Sequence, residues 1–173
     1  MKTTLAALSL FLTPAFALSL VASEALAYPA VNDSATYQGF YTEQAQKYPV
    51  TLTNALTAFN AQTGQYQQTE TQTIAGQTDT KDTWVDGGDL LTPAQVQNLI
   101  TNCVAQSGSL ETIKTPVGVL DTCKLSNRDG DTTQTYWFAD VPFGIARFLV
   151  DGKSDEGNAY QIALQISALV RGQ

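Results

Sequence analysis

The chain has no histidine among its 173 residues. This excludes Ser-His-Asp and Cys-His catalysis, and it removes the imidazole ligands of the usual zinc sites. Only two cysteines occur, Cys103 and Cys123. They are too far apart for a Cys-x-x-Cys redox pair. Charge is sparse at 14% of residues, and its balance is acidic, with a net charge of −7. An acidic chain is a poor fit to nucleic acid or to an anionic lipid surface. No Gly-rich phosphate loop is present. Gly87-Gly88 precedes a predicted helix but lacks the spacing and the lysine that such a loop needs.

The N-terminus reads as a secretory signal. Lys2 supplies the positive charge, Leu5 to Val21 is an apolar run broken by Pro14, and Ala25-Leu26-Ala27 fits the small-x-small cleavage rule. The sequence therefore predicts a signal peptide over residues 1–27 and a mature chain from Tyr28. Pro14 and the polar Ser23-Glu24 pair speak against a membrane anchor, and no later segment is apolar over the length of a membrane span. The remainder, roughly 146 residues, is one domain in size. The predicted location is periplasmic or extracellular. In an oxidising compartment two cysteines pair most simply with each other, closing a loop of about 20 residues.

Most of residues 28–173 patterns as strand. Tyr28 to Ser34 reads as a loose beginning. Strands are predicted over 35–41, 50–59, 65–74 and 79–86, with Asn60 to Gly64 as a hairpin turn. Further strands follow around Cys123, over 132–139 and over 144–151, with Asp129-Gly130 as another turn. In the last segment Tyr160, Ile162, Leu164, Ile166, Ala168 and Val170 share one parity, with Gln161, Gln165 and Ser167 adding polar character opposite. The alternation predicts a strand, with a helix as the alternative because Ala and Leu are good helix formers.

One helix is signalled. Thr92 is the N-cap, Pro93 the first helical position and Gln95 the partner in a capping box. Val96, Leu99, Ile100, Cys103 and Val104 form its apolar stripe, and Gly108 its stop. Cys103 is thus expected on the buried helix face and Cys123 on a strand, so their bridge ties helix to sheet. The predicted fold is α+β and mostly β, an antiparallel curved sheet or half-barrel of about eight strands packed on one helix.

Catalytic and metal candidates are confined to carboxylates. Asp82, Asp86 and Asp89 cluster around Trp84; sugar hydrolysis needs two carboxylates flanking a groove, and carboxylates spaced along a turn are commonplace. Asp129 and Asp131, and Asp151, Asp155 and Glu156, invite a calcium reading. Lys153 and Glu156 stand where a calcium loop needs a ligand and a glycine, and hairpin turns explain both segments. No catalytic residue, metal or cofactor is assigned.

The sharpest signature is aromatic. Tyr136 and Phe138 are predicted to share one strand face, with Trp137 on the other, and Val141-Pro142-Phe143-Gly144 sets a corner. The run ETIKTPVGVLDTCK (111–124), followed by TYWF (135–138) and VPFGI (141–145), is similar to a pattern in uncharacterised exported bacterial proteins that resemble the lipoprotein-carrier superfamily. The resemblance covers mainly residues 110–150. It implies an incomplete antiparallel barrel that wraps a helix and holds acyl chains. The carriers lack the strand-to-helix bridge and the Thr- and Gln-rich sheet, and no site residue transfers from them.

The functional expectation is a non-catalytic exported protein binding an apolar or lipid-like ligand in the sheet concavity beneath the helix. Its predicted contacts are Leu99, Ile100, Trp137, Phe138 and Ile145, with Val96 alongside. The alternative is a structural or protein-binding envelope component that uses strand edges or the Thr/Gln face.

Overall fold

A computed structural model describes residues 29–172 apart from Asp155. The predicted signal peptide lies outside the described residues. Nine strands form one antiparallel sheet: β1 (Ser34–Glu43), β2 (Gln46–Asn60), β3 (Gln65–Ile74), β4 (Gln77–Asp86), β5 (Ser109–Thr115), β6 (Gly118–Asp129), β7 (Thr132–Phe138), β8 (Ile145–Lys153) and β9 (Ala159–Val170). Their spatial order is β4-β3-β2-β1-β9-β8-β7-β6-β5. Two meanders are therefore joined where the first strand pairs with the last. The expected mostly-β architecture is present, with one strand more than the pattern suggested.

β4 and β5 end up at opposite edges of the sheet, and residues 87–108 carry the chain between them. This crossover contains α1 (Pro93–Thr101). The capping box at its start is formed: Gln95 N donates to Thr92 Oγ1 at 3.3 Å, and Thr92 N donates to Gln95 Oε1 at 2.7 Å. The helix stops two residues before Cys103, so the apolar stripe is shorter than its periodicity promised. Val96 is buried, whereas Val104, in the short turn that follows, is 71% exposed. Cys103 does bond to Cys123, but from the connection after the helix. Gly108 has a different task from ending a helix. A Cβ there would stand 2.7 Å from Cys103 Sγ and 2.6 Å from Leu125 Cδ2, so only glycine lets the chain pass the bridge.

The crossover covers one face of the sheet, here termed the crossover face. Pairing registers place Tyr37, Val50, Leu52, Leu56, Phe148, Leu164 and Ile166 on that face. Tyr37 is 2% exposed, donates from its hydroxyl to Ile145 O at 3.0 Å, and meets Phe148 edge-on at 5.9 Å. Leu90 of the crossover packs on Leu56.

Register slips interrupt the alternation. Thr36 pairs with Ala168 but Tyr37 pairs with Ile166, so Ser167 is an extra residue. Beyond it the faces exchange: Leu169 joins the core, and Val170 is exposed rather than facing inward with Ile166. Thr57 is a similar insertion in β2, and Ala146 in β8.

The start of the described chain is tied down rather than loose. Asp33 is buried, and its carboxylate accepts Ala30 N at 2.6 Å and Gly172 N at 2.8 Å. Asn32 and Asp33 also exchange backbone hydrogen bonds with Leu56. The buried carboxylate thus joins the two ends of the domain. At Gly172 a Cβ would lie 2.1 Å from Val31 O, so this junction excludes any side chain.

Two stability outcomes follow. Asp33→Ala leaves one buried and one part-buried amide donor without an acceptor and is expected to lower stability by about 2–4 kcal/mol in urea unfolding. Unchanged stability would show that water replaces the carboxylate. Loss of the Cys103–Cys123 bridge, which closes a 20-residue separation, is expected to cost about 3 kcal/mol, alike for Cys103→Ser and Cys123→Ser. Markedly unequal losses would point to strain or packing rather than the shared bond.

Candidate functional site

The face opposite the crossover differs between the two meanders. Over β2, β3 and β4 it is a flat array of threonines. Thr36, Thr53, Thr71 and Thr80 form one cross-strand row, and Thr51, Thr73 and Thr78 form the next. Several hydroxyls bond across the strands, among them Thr73 with Thr78 at 2.9 Å and Thr36 with Thr53 at 3.1 Å.

Over β5–β9 the same face curls inward. β5 and β9 lie four places apart in the strand order, yet Gln165 Nε2 donates to Lys114 O at 3.2 Å. The concavity therefore opens away from the helix. Trp137 lies inside it and is 6% exposed, with Ile113 buried nearby. This is why an aromatic on the face without a helix is covered: the sheet's own edge folds over it.

A polar chain lines this interior. Trp137 Nε1 donates to Glu111 Oε2 at 2.8 Å, and Lys124 Nζ reaches Glu111 Oε1 at 3.2 Å. Two cations flank the indole, Lys124 at 5.1 Å and Arg147 at 5.4 Å from the ring centre. Arg147 Nε donates to Gln165 Oε1 at 3.1 Å, and Nη2 donates to the same oxygen. Contacts run from Glu111 on β5 across β7, β8 and β9, and return to β5 at Lys114. The hydrogen bond from Trp137 holds the Glu111 carboxyl below its ordinary range, and Lys124 adds to the effect against partial burial.

Where this interior meets the flat half there is a cleft of about 380 Å³. Gln38, Gln165, Arg147 and Trp137 form one cross-strand row in it, and Ala163 and Leu149 the next. The walls are mainly apolar; Phe148 and Leu164 also border the cleft, though their side chains belong to the crossover face. This matches the usual build of a ligand pocket, apolar with a few orienting polar groups. A wider cleft of about 570 Å³ lies at the hairpin end of the crossover face, between Tyr41, Glu43, Tyr48, Gln72, Gln77 and Asp79. It is more polar. The bond from Tyr41 to Glu43 raises the Tyr41 hydroxyl to about 12. We take the narrower, apolar cleft as the candidate site.

The predicted contacts fall on two sides of the sheet. Phe138 pairs with Cys123 and with Ile145, on the crossover face. Tyr136 and Phe138 do share that face, with rings 5.9 Å apart, and Trp137 takes the other. Leu99 is half-buried, and Ile100 borders a separate cleft with Leu110 and Thr112. Trp137 alone of the five lines the 380 Å³ cleft. Arg147, Leu149, Ala163 and Gln165 had no individual signal in the sequence. Their alternation marked them as strand residues, and only the curl makes a cleft of them.

Several of the carboxylates weighed as catalytic or metal groups have local partners, and Asp155 lies outside the described residues. Asp82 accepts Thr69, Asp86 accepts Gly88 N, Asp131 pairs with Lys153, and Asp151 accepts Gln161. Among the described residues no three His, Cys, Asp or Glu are grouped to hold a metal, and no helix is long and apolar enough to cross a membrane.

The lowered carboxyl of Glu111 carries a pH consequence. A depressed folded-state pKa contributes stability that is present above the unfolded value of about 4.5 and is lost as pH falls through the folded one. Wild-type protein should therefore lose stability on acidification below that value more steeply than Glu111→Gln. Unfolding midpoints measured across the acid range test this, and parallel curves for the two proteins would rule it out.

No protein-family profile matches the chain, and no curated protein matches it. Among solved structures, the crystal structure of MucB is similar at 12% identity with a TM-score of 0.36. The match covers 82% of this chain and 54% of that one, so the chain spans about half the length of MucB.

Proposed function

We propose that this chain is an exported, non-catalytic binding protein, periplasmic or extracellular, that takes an apolar or lipid-like ligand on the concave side of its sheet. The observation that carries the reading is the 380 Å³ cleft at Trp137, with Leu149 and Ala163 as apolar walls and Gln38 and Gln165 at its rim. Its volume falls within the range of about 300–1,000 Å³ typical of small-molecule sites. Burial of a chain there contributes about 0.8 kcal/mol per methylene. A disulfide and a surface poor in charge suit an exported protein.

The site lies across the sheet from the one the helix stripe suggested, and this gives a discriminating test. The variant Trp84→Phe leaves Trp137 as the chain's one tryptophan. Titration of that variant with dodecanoate or dodecanol should change its emission saturably. Ala163→Trp, which fills the cleft, should abolish binding by competition with a fluorescent fatty acid. Leu99→Trp, on the helix, should leave binding intact. Absence of saturation with either amphiphile would remove the ligand reading.

A second reading is favoured by β4. It is exposed along nearly its whole length at a free edge of the sheet, with the threonine array beside it. Such an edge can pair with a strand of another envelope protein. Loss of ligand binding together with protein capture that is sensitive to a Thr80→Pro change would support it.

A further inference from the structure

We propose that the cleft selects an oxyanion-headed, single-chain amphiphile whose head group lies on Arg147. The inference rests on the reading of the cleft as a ligand site and names the chemistry that site accepts. Among the described residues, Arg147 is the one charged residue lining it. A guanidinium has five N–H donors in a fixed planar fork. Here two of them converge on a single amide oxygen, Gln165 Oε1. The other side of the group faces the ring of Trp137, 5.4 Å from its centre. Among the described residues no carboxylate pairs with Arg147. The other half-buried cations, Lys124 and Arg171, each have a carboxylate within 3.0–3.2 Å, whereas the described cations that share Arg147's lack of one, Lys47, Lys81, Lys114 and Arg128, are exposed to water.

That contrast matters in a chain of net charge −7, where acidic partners are plentiful. A neutral amide, and not an acid, orients the guanidinium. Gln165 is held in turn by its bond to Lys114 O, so the cation is positioned without being neutralised. The nearest carboxylate in the interior, Glu111, is already engaged by Trp137 and Lys124. A cation left charged beside apolar walls favours a ligand that supplies the missing anion and an apolar body together. Arginine's fork fits a carboxylate or a phosphate in two-point contact.

The body of such a ligand has a path. In the next cross-strand row Leu149 and Ala163 lead to Phe40, which is 42% exposed. Phe40 and Pro49 border an adjoining hollow of about 430 Å³ with Gln38 and Thr51. Gln38 lines both spaces. The geometry thus places Arg147 at the curled end and apolar surface beyond it, ending at Phe40, where Lys47 Nζ lies 3.7 Å from the ring centre. The ligand's head would sit at Arg147 with its chain running over Ala163 toward Phe40.

The experiment compares three probes of equal chain length, dodecanoate, dodecyl phosphate and dodecanol, by calorimetry on wild type, Arg147→Met and Arg147→Lys. For wild type at least one of the two anions should bind roughly tenfold or more tightly than the alcohol, the size expected for a charge-assisted pair. The anion that does so identifies the head group as carboxylate or phosphate. Arg147→Met should bring anion and alcohol to equal affinity, and Arg147→Lys should retain part of the preference. Equal binding of all three probes by wild type would overturn the selectivity while the cleft remains a ligand site. The same holds for an anion preference that survives Arg147→Met. Failure of every probe to bind wild type would overturn both. The wild-type ratio decides the matter even if Arg147→Met does not fold.

Discussion

The pairing of the first strand with the last is the constraint from which the rest of the molecule follows. β1 and β9 sit side by side at the centre, so each meander grows outward from the middle of the sheet. The chain must then leave one edge at β4 and re-enter at the other at β5. On a flat sheet, strands at about 4.8 Å spacing would hold those edges nearly 40 Å apart. Residues 87–108 make the journey across one face. They bring Leu90 and Val96 down on it, and the disulfide fastens their far end to β6. Asp33 fastens the same arrangement at its end, where its carboxylate accepts Gly172 N just beyond the paired β1 and β9.

With one face taken by the crossover, the other has to be covered or tolerated. The two meanders solve this differently. β5–β9 curl until Gln165 bonds the backbone of β5, and Trp137 is enclosed. Burial of an indole contributes roughly 4–6 kcal/mol from its area, against about 1 kcal/mol for its hydrogen bond to Glu111. Burial therefore drives the curl, and the polar chain through Glu111, Arg147 and Gln165 fixes its geometry. The other meander leaves its face open and lines it with threonine. Cross-strand pairs of this type add about 0.2–1 kcal/mol each, and the hydroxyls remain compatible with water. Lys81, Asp79 and Asp82 on β4 discourage uncontrolled edge pairing.

The cleft lies at the junction of these two regimes. It owes its apolar walls to the curled half and its access to the flat half. It involves no helix residue, whereas the helix stripe packs toward the other side of the sheet. Val96 does anchor α1, but Phe138 and Ile145 beneath it belong to the packed crossover face, while Trp137 looks the other way.

Local features were legible from the sequence because their causes are local. The capping box at Thr92 and Gln95 and the turns at Asn60–Gly64 and Asp129-Gly130 each depend on a few adjacent residues. The opposite facing of Trp137 and Phe138 likewise follows from strand geometry alone. The pairing of the cysteines followed from their number and compartment. Tertiary structure decided what depends on distant chain segments. The turn at Gln44-Ala45 takes positive φ without glycine or asparagine, so β1 and β2 extend past their visible signals. The insertions at Thr57, Ala146 and Ser167 exchange faces within strands whose alternation continues unbroken on paper. Asp33 is an ordinary loop residue until Gly172 arrives beside it. Alternation tells which residues share a face, but only the path of the crossover and the curl of the sheet determine which face is closed and which stays open.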